Sequence, residues 1–203
     1  MPYEKCSEVS AEFWEELSRR DPQEVLRRTG ADWQGEKFRI PFFNRELSVD
    51  VRERRVEDPR RPGEDPGFRV CLVALHFLLY VDPQALGNLV SPLEFAGGAT
   101  FFRGLHGLPN APLEDRFGRD REGFIAAGVR LGAAARPAGD AALALTVLPG
   151  LTVEAILWLA DEEFPAQASF ALPAHLDRFW HLDAVWGLLN VVVSELLKAA
   201  TPA

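Results

Sequence analysis

The chain has 203 residues, 47% of them hydrophobic, with 30 acidic residues against 22 basic ones and a formal net charge of −8. That length suits one domain with a real core and is short for two, while the charge opposes any general attraction to nucleic-acid phosphates or anionic lipid. The two cysteines, Cys6 and Cys71, lie far apart with one inside an apolar run, a usage that does not indicate a disulfide framework and excludes a self-contained cysteine-ligated iron–sulfur site.

Residues 7–20 place Phe13 and Leu17 four apart, with Val9 a turn earlier among Glu and Arg, the pattern of an amphipathic helix. Asp21 before Pro22 reads as a cap and first helical position, opening a short helix that buries Val25 and Leu26 and ends at Thr29 and Gly30. Residues 1–30 are thus a helical lead-in. Phe38 and Ile40 alternate with charged residues, residues 41–44 turn, and Leu47, Val49 and Val51 alternate again, which predicts a hairpin over 37–52. Residues 56–66 carry Pro59, Pro62, Gly63 and Pro66 among charges and read as a mobile surface loop. A basic patch at Arg52, Arg54, Arg55, Arg60 and Arg61 is nearly neutralised by Glu53, Glu57 and Asp58, so a solvated loop is the plainer reading.

The main body spans 67–199. Asp65 and Pro66 open a helix over 67–81 whose apolar residues occupy nearly the whole circumference, the mark of a central buried helix. Residues 84–112 are broken by glycine and proline, yet Phe95, Phe101 and Phe102 imply that this long connection packs onto the domain. Two short helices follow over 113–117 and 122–131, the second with Phe124, Ile125 and Val129 on one side. The apolar run 140–148 and the alternation of Val153, Ala155, Leu157 and Leu159 predict two strands turning at Pro149 and Gly150, the second with its outer face under partial cover. The acidic run 161–163 and Pro165 end that pattern, and Asp183 caps a last helix with a broad apolar stripe, running to about Lys198. The expected fold class is α+β in a single domain, 1–203, with antiparallel hairpins packed on a central buried helix and a C-terminal helix.

Residues 1–20 show no secretion signal, and no apolar run approaches the roughly 20 residues needed to span a bilayer, so a cytoplasmic protein is expected, with neither membrane nor nucleic acid as partner.

Chemistry is sparse. His106 sits in FFRGLHGLP, where flanking glycines permit close approach of a ligand and Arg103 offers a planar fork to a carboxylate or phosphate. With Phe101, Phe102 and Trp158 for apolar contact, these residues form the candidate binding set, in a cleft between the long loop and the terminal hairpin. The competing interpretation is an ordinary loop histidine beside an exposed arginine. His76, five residues after Cys71 in the most apolar helix, diverges from it by about 140° and suits a hydrogen-bonded core histidine better than a metal ligand. Asp161 and Glu163 share one strand face and, with His76, are the metal candidates, against the simpler reading of a solvated strand end. No HExxH, GxSxG, phosphate loop or GxGxxG occurs, so no catalytic residue is assigned and a non-enzyme is expected.

The segments DPQEVLRRTGADW, RIPFFNRELSVD, LVALHFLLY, LVSPLEFAGGATFF, LEDRFG and LWLADEEFPAQASFAL together resemble the bacterial and archaeal domain of unknown function family 3786 over most of the chain. Leu89 stands where the commoner pattern has an aromatic. The resemblance implies an uncharacterised domain, sometimes joined to an iron–sulfur module, and by association a tetrapyrrole, corrinoid or iron–sulfur redox setting. The expected function is a small-ligand or cofactor-binding accessory protein. The alternatives are an adaptor for a redox partner protein, using a patch at Phe179, Trp180 and Trp186, and a metal-dependent hydrolase using Asp161, Glu163 and a histidine. Oligomeric state is not legible.

Overall fold

Cap chemistry sets the first boundaries. In the computed structural model, which describes residues 3–201, Ser10 Oγ accepts the Glu12 N–H to start α1 (Ala11–Arg19) and Asp21 accepts the Gln23 N–H to start α2 (Pro22–Thr29). α2 stops at Gly30, whose φ of 68° is left-handed backbone that a side chain would strain. A 3-10 turn, Cys6–Glu8, precedes α1.

Strands β1 (Asp32–Gln34), β2 (Lys37–Phe42), β3 (Arg45–Asp50) and β4 (Arg55–Glu57) make a four-stranded antiparallel sheet in sequential order. The expected hairpin is the centre of this larger sheet. The segment read as a mobile loop begins as a strand, because Val56 pairs with Val49 and is buried. Its remainder is pinned by two carboxylates: Asp58 accepts the Arg60 N–H, and Asp65 accepts the N–H groups of Cys6 and Gly67.

Helix α3 (Phe68–Tyr80) buries every residue from Val73 to Leu79, as its all-round apolar sequence requires, and packs against α1, α2 and α7 (Leu182–Ala200). Arg28 of α2 reaches the open C-terminal carbonyls of α3, donating to Leu78 O at 2.5 Å and to Val81 O, where a cation complements the helix dipole.

The long connection holds β5 (Leu89–Val90) and α4 (Gly98–Phe101), and is followed by α5 (Ala111–Phe117) and α6 (Arg121–Arg130). β6 (Ala134–Arg136), β7 (Ala141–Leu148), β8 (Leu151–Trp158) and β9 (Gln167–Pro173) complete a second antiparallel sheet in the order β5-β9-β8-β7-β6. The 140–158 hairpin is present, but the acidic run does not close the sheet. The chain turns at Asp161 and returns as β9, burying Ala168, Phe170 and Leu172, an alternation lost when the pattern was ended at Pro165. In α6, Val129 is exposed rather than buried, because the helix turns Phe124, Ala127 and Gly128 inward as it packs between α7 and β7. A Cβ on Gly128 would come within 2.6 Å of Leu143.

Cys6 and Cys71 are joined in a disulfide across 65 positions, their Cα atoms 5.5 Å apart. Distance along the chain gave no hint of it, since only the docking of the 3-10 turn against the start of α3 brings the two together. One hydrophobic cluster runs through both sheets and the long helices, so the chain is a single α+β domain. No helix among the described residues is long and apolar enough to cross a membrane.

Candidate functional site

A largely buried arginine anchors the site. Arg45 opens β3 directly after the turn at Phe43 and Asn44, with its guanidinium 4.7 Å from the centre of the Phe42 ring. Its Nη2 donates to Glu195 Oε2 at 2.7 Å. Its Nε lies 2.9 Å from Asp58 Oδ2 but off the N–H axis, so that contact is an ion pair without a hydrogen bond. Glu195, 7% exposed on α7, also accepts from Lys198 Nζ at 3.0 Å. Burying such groups costs several kcal/mol each, offset only by close pairing, so the network is a commitment of the fold rather than a surface accident.

A cavity of about 310 Å³ opens above this floor, lined also by Asn44, Arg60, Arg61 and Arg130. Asn44 organises the rim: its carbonyl accepts from Arg60 Nη2 at 2.8 Å, and its Nδ2 donates to Arg130 O at 2.5 Å. Arg130 Nη1 donates to Ala199 O. Among the described residues neither the Arg60 nor the Arg130 guanidinium is ion-paired, which leaves most of their N–H donors available. Of the cavity's four carboxylates, Asp58 and Glu195 hold Arg45, Asp65 caps two backbone N–H groups, and Glu64 faces Arg61. Five cations against four engaged carboxylates make this wall locally positive in a chain of charge −8. A second groove of about 450 Å³ continues from it between α3 and α7, sharing Lys198 and Glu195, with Tyr3 and Glu4 on its wall.

The residues singled out from sequence lie elsewhere. Phe101 stacks on His106 at 4.7 Å and meets the buried Phe102 edge-on, and the Trp186 and His106 rings meet near a right angle at 5.7 Å. His106 Nε2 lies 3.8 Å from Asp183 Oδ1, and Arg103 is exposed nearby. Trp158 is not brought to them: it pairs with Gln167, at the end of β9 opposite the β5 pairing from which the loop departs. A tetrapyrrole needs a flat apolar slot beside a free imidazole nitrogen. Here Phe101 covers one face of the exposed His106 and Nε2 faces the Asp183 carboxylate at 3.8 Å, so that nitrogen is already engaged.

The metal candidates are likewise apart. Asp161 Oδ1 accepts the N–H groups of Glu163 and Phe164, two bonds that hold its carboxyl below the ordinary value, so it works as a turn cap. His76 is buried among Phe13, Tyr80 and Trp180, its Nδ1 3.0 Å from Leu72 O, and burial pushes it down to about 4. Among the described residues no group of three or more His, Cys, Asp or Glu could hold a metal ion. Trp180, expected on an adaptor patch, is in the core with its Nε1 donating to His76 O.

Sequence reasoning missed Arg45, Arg130 and Glu195, and it set Arg60 and Asp58 aside as part of a nearly neutral solvated loop. One signal was present: Glu195 is a lone acid inside the apolar run VVVSELL, where a charge demands a partner.

A family model described as a domain of unknown function (DUF3786) matches residues 21–195. The chain belongs to that family. The DUF3786 match contains Arg45, Asp58, Arg60, Arg130 and Glu195, whereas Lys198 and Cys6 fall outside it. No curated protein and no solved structure matches the chain.

Proposed function

We propose that this domain is an accessory protein that binds a small anionic ligand in the cavity above Arg45. The observation that carries this reading is the convergence of Arg60, Arg130 and Lys198 on a concave site whose carboxylates are already engaged. A planar guanidinium fork recognises phosphate or carboxylate oxygens in pairs, and a concave wall holds the ligand against a net field that repels anions elsewhere.

Inorganic phosphate and pyrophosphate titrated into the protein by calorimetry should bind saturably, more weakly as salt rises. Replacing both Arg60 and Arg130 with alanine should weaken binding at least about tenfold, by the strength of charge-assisted hydrogen bonds. Both residues are exposed, so the melting temperature should hold. Absence of saturable binding of either anion would remove the proposal.

The loop supports a second reading, a docking face for a partner protein, because Leu105 is 94% exposed beside His106. A protein retained by the native chain and lost by Leu105→Asp supports it; equal retention by both counts against it.

A further inference from the structure

We propose that the Cys6–Cys71 disulfide gates the anion site: oxidised, it fastens the N-terminal segment over the start of α3, and reduction releases that segment and strengthens anion binding. The proposal rests on the anion-binding reading of the Arg45 cavity.

Residues 3–8 have little else to hold them. Of these six, only Cys6 is buried, while Tyr3, Glu4, Lys5, Ser7 and Glu8 are exposed. Their other attachments to the body are the stacking of Tyr3 on Phe68 at 4.9 Å, the Glu4 carbonyl accepting the Phe68 N–H, the Cys6 N–H donating to Asp65, and the packing of the 3-10 turn on β4. Such exposed contacts are individually weak, so a covalent link decides whether the segment stays.

What the segment covers is electrostatically relevant. The Glu4 carbonyl ties up one of the open N–H groups at the positive end of α3, and the segment places Glu4 on the wall of the groove that shares Lys198 with the anion cavity, with the Glu8 carboxylate on the Glu4 N–H. Release removes those carboxylates, frees the Phe68 N–H and leaves Asp65 with the Gly67 N–H alone. The first two changes make the site more positive, and the third, the loss of one neutral donor by Asp65, opposes them by less than a full charge.

The reductant is a dithiol, either a small molecule or an exposed protein pair. Its thiolate attacks Cys6 Sγ, the outer sulfur, since Cys6 is 6% exposed and Cys71 0%. That step forms a mixed disulfide on Cys6 and expels the Cys71 thiolate, which takes up a proton. The second thiol of the reductant then closes on its own bound sulfur and leaves Cys6 as a thiol. Two electrons and two protons pass to the protein, and the dithiol becomes a disulfide.

The test compares the oxidised full chain, the chain treated with dithiothreitol and the Cys6→Ser variant. Pyrophosphate affinity is read by calorimetry, and trypsin cleavage after Lys5 by mass spectrometry. The reduced chain and the variant should bind pyrophosphate about two- to fivefold more tightly, the range set by one helix-terminal charge contribution. They should also be cut after Lys5 faster than the oxidised chain. Binding equal in the oxidised and reduced states would overturn the gate while leaving the anion site standing. A disulfide that resists dithiothreitol in the folded chain, or a Lys5 site that stays protected once two thiols are counted, would also overturn it. Binding in none of the three forms would instead bring down the anion-binding reading, and the gate with it.

Discussion

Arg45→Ala should destabilise the domain by about 3–5 kcal/mol, the cost of breaking a buried ion pair by deleting one partner. Asp58 and Glu195, 12% and 8% exposed at their side chains, would keep their charges with no guanidinium between them. Lys198 is half exposed and already bonded to Glu195, so it can moderate the loss without replacing Arg45. Urea denaturation monitored by circular dichroism measures the change directly. Removing two of the three charges, as in Arg45→Met with Glu195→Leu, should recover part of the stability, since apolar replacement of a buried pair is often neutral or better while Asp58 stays without its guanidinium. That double variant would also lose the cavity floor and its anion binding, which separates what the network does for folding from what it does for recognition. A loss under about 1 kcal/mol for Arg45→Ala would mean that this pair does not tie β3 to α7, and that solvent reaches it.

Stability should fall by about 2 kcal/mol between pH 7 and pH 5, and His76 should account for it. In the unfolded chain its imidazole takes up a proton near 6.5, whereas burial holds the folded one down to about 4. The unfolded state therefore binds more protons between those values, and stability rises with pH across that window and is lost as pH falls through it. The groups facing the ring pull in opposite directions without reversing this: the nearby His181 disfavours the charge and Glu16 favours it, while Phe13, Tyr80 and Trp180 add only rings. Glu16 titrates lower. The Tyr80 hydroxyl bonded to it at 2.7 Å keeps its carboxyl below 4.5, so its own contribution is present above that value and disappears only in stronger acid. His76→Gln should flatten the stability profile from pH 7 to 5. A slope that persists in that variant would assign the titration to another group.

Helix α3 shows how far a local pattern reaches. Thirteen residues with no polar face can only be surrounded, and the structure surrounds them with α1, α2 and α7. The hairpin of β7 and β8 was legible for the same reason, because two-residue alternation states which side faces a core. β9 was not: its apolar residues are as regular, but they follow a turn at Asp161 that reads as a terminus unless the returning strand is already known. The candidate site was less legible still. Histidine between glycines is chemically conspicuous, yet the structure leaves His106 exposed, stacked on Phe101 with Nε2 toward Asp183. Arg60 and Arg61 were discounted because neighbouring acids cancel them in sequence, whereas in space Asp58 is taken up by Arg45, which leaves Arg60 unpaired.

Composition and periodicity determined the α+β class, the buried identity of α3 and α7, and the positions of the hairpins β2–β3 and β7–β8, since each depends on which residues avoid water within a few turns of chain. The tertiary structure alone decided the rest: that Arg45 meets a glutamate 150 positions away, and that Cys6 meets Cys71. Pairings of that kind depend on how finished elements dock, and their energies become available only once the elements are in contact.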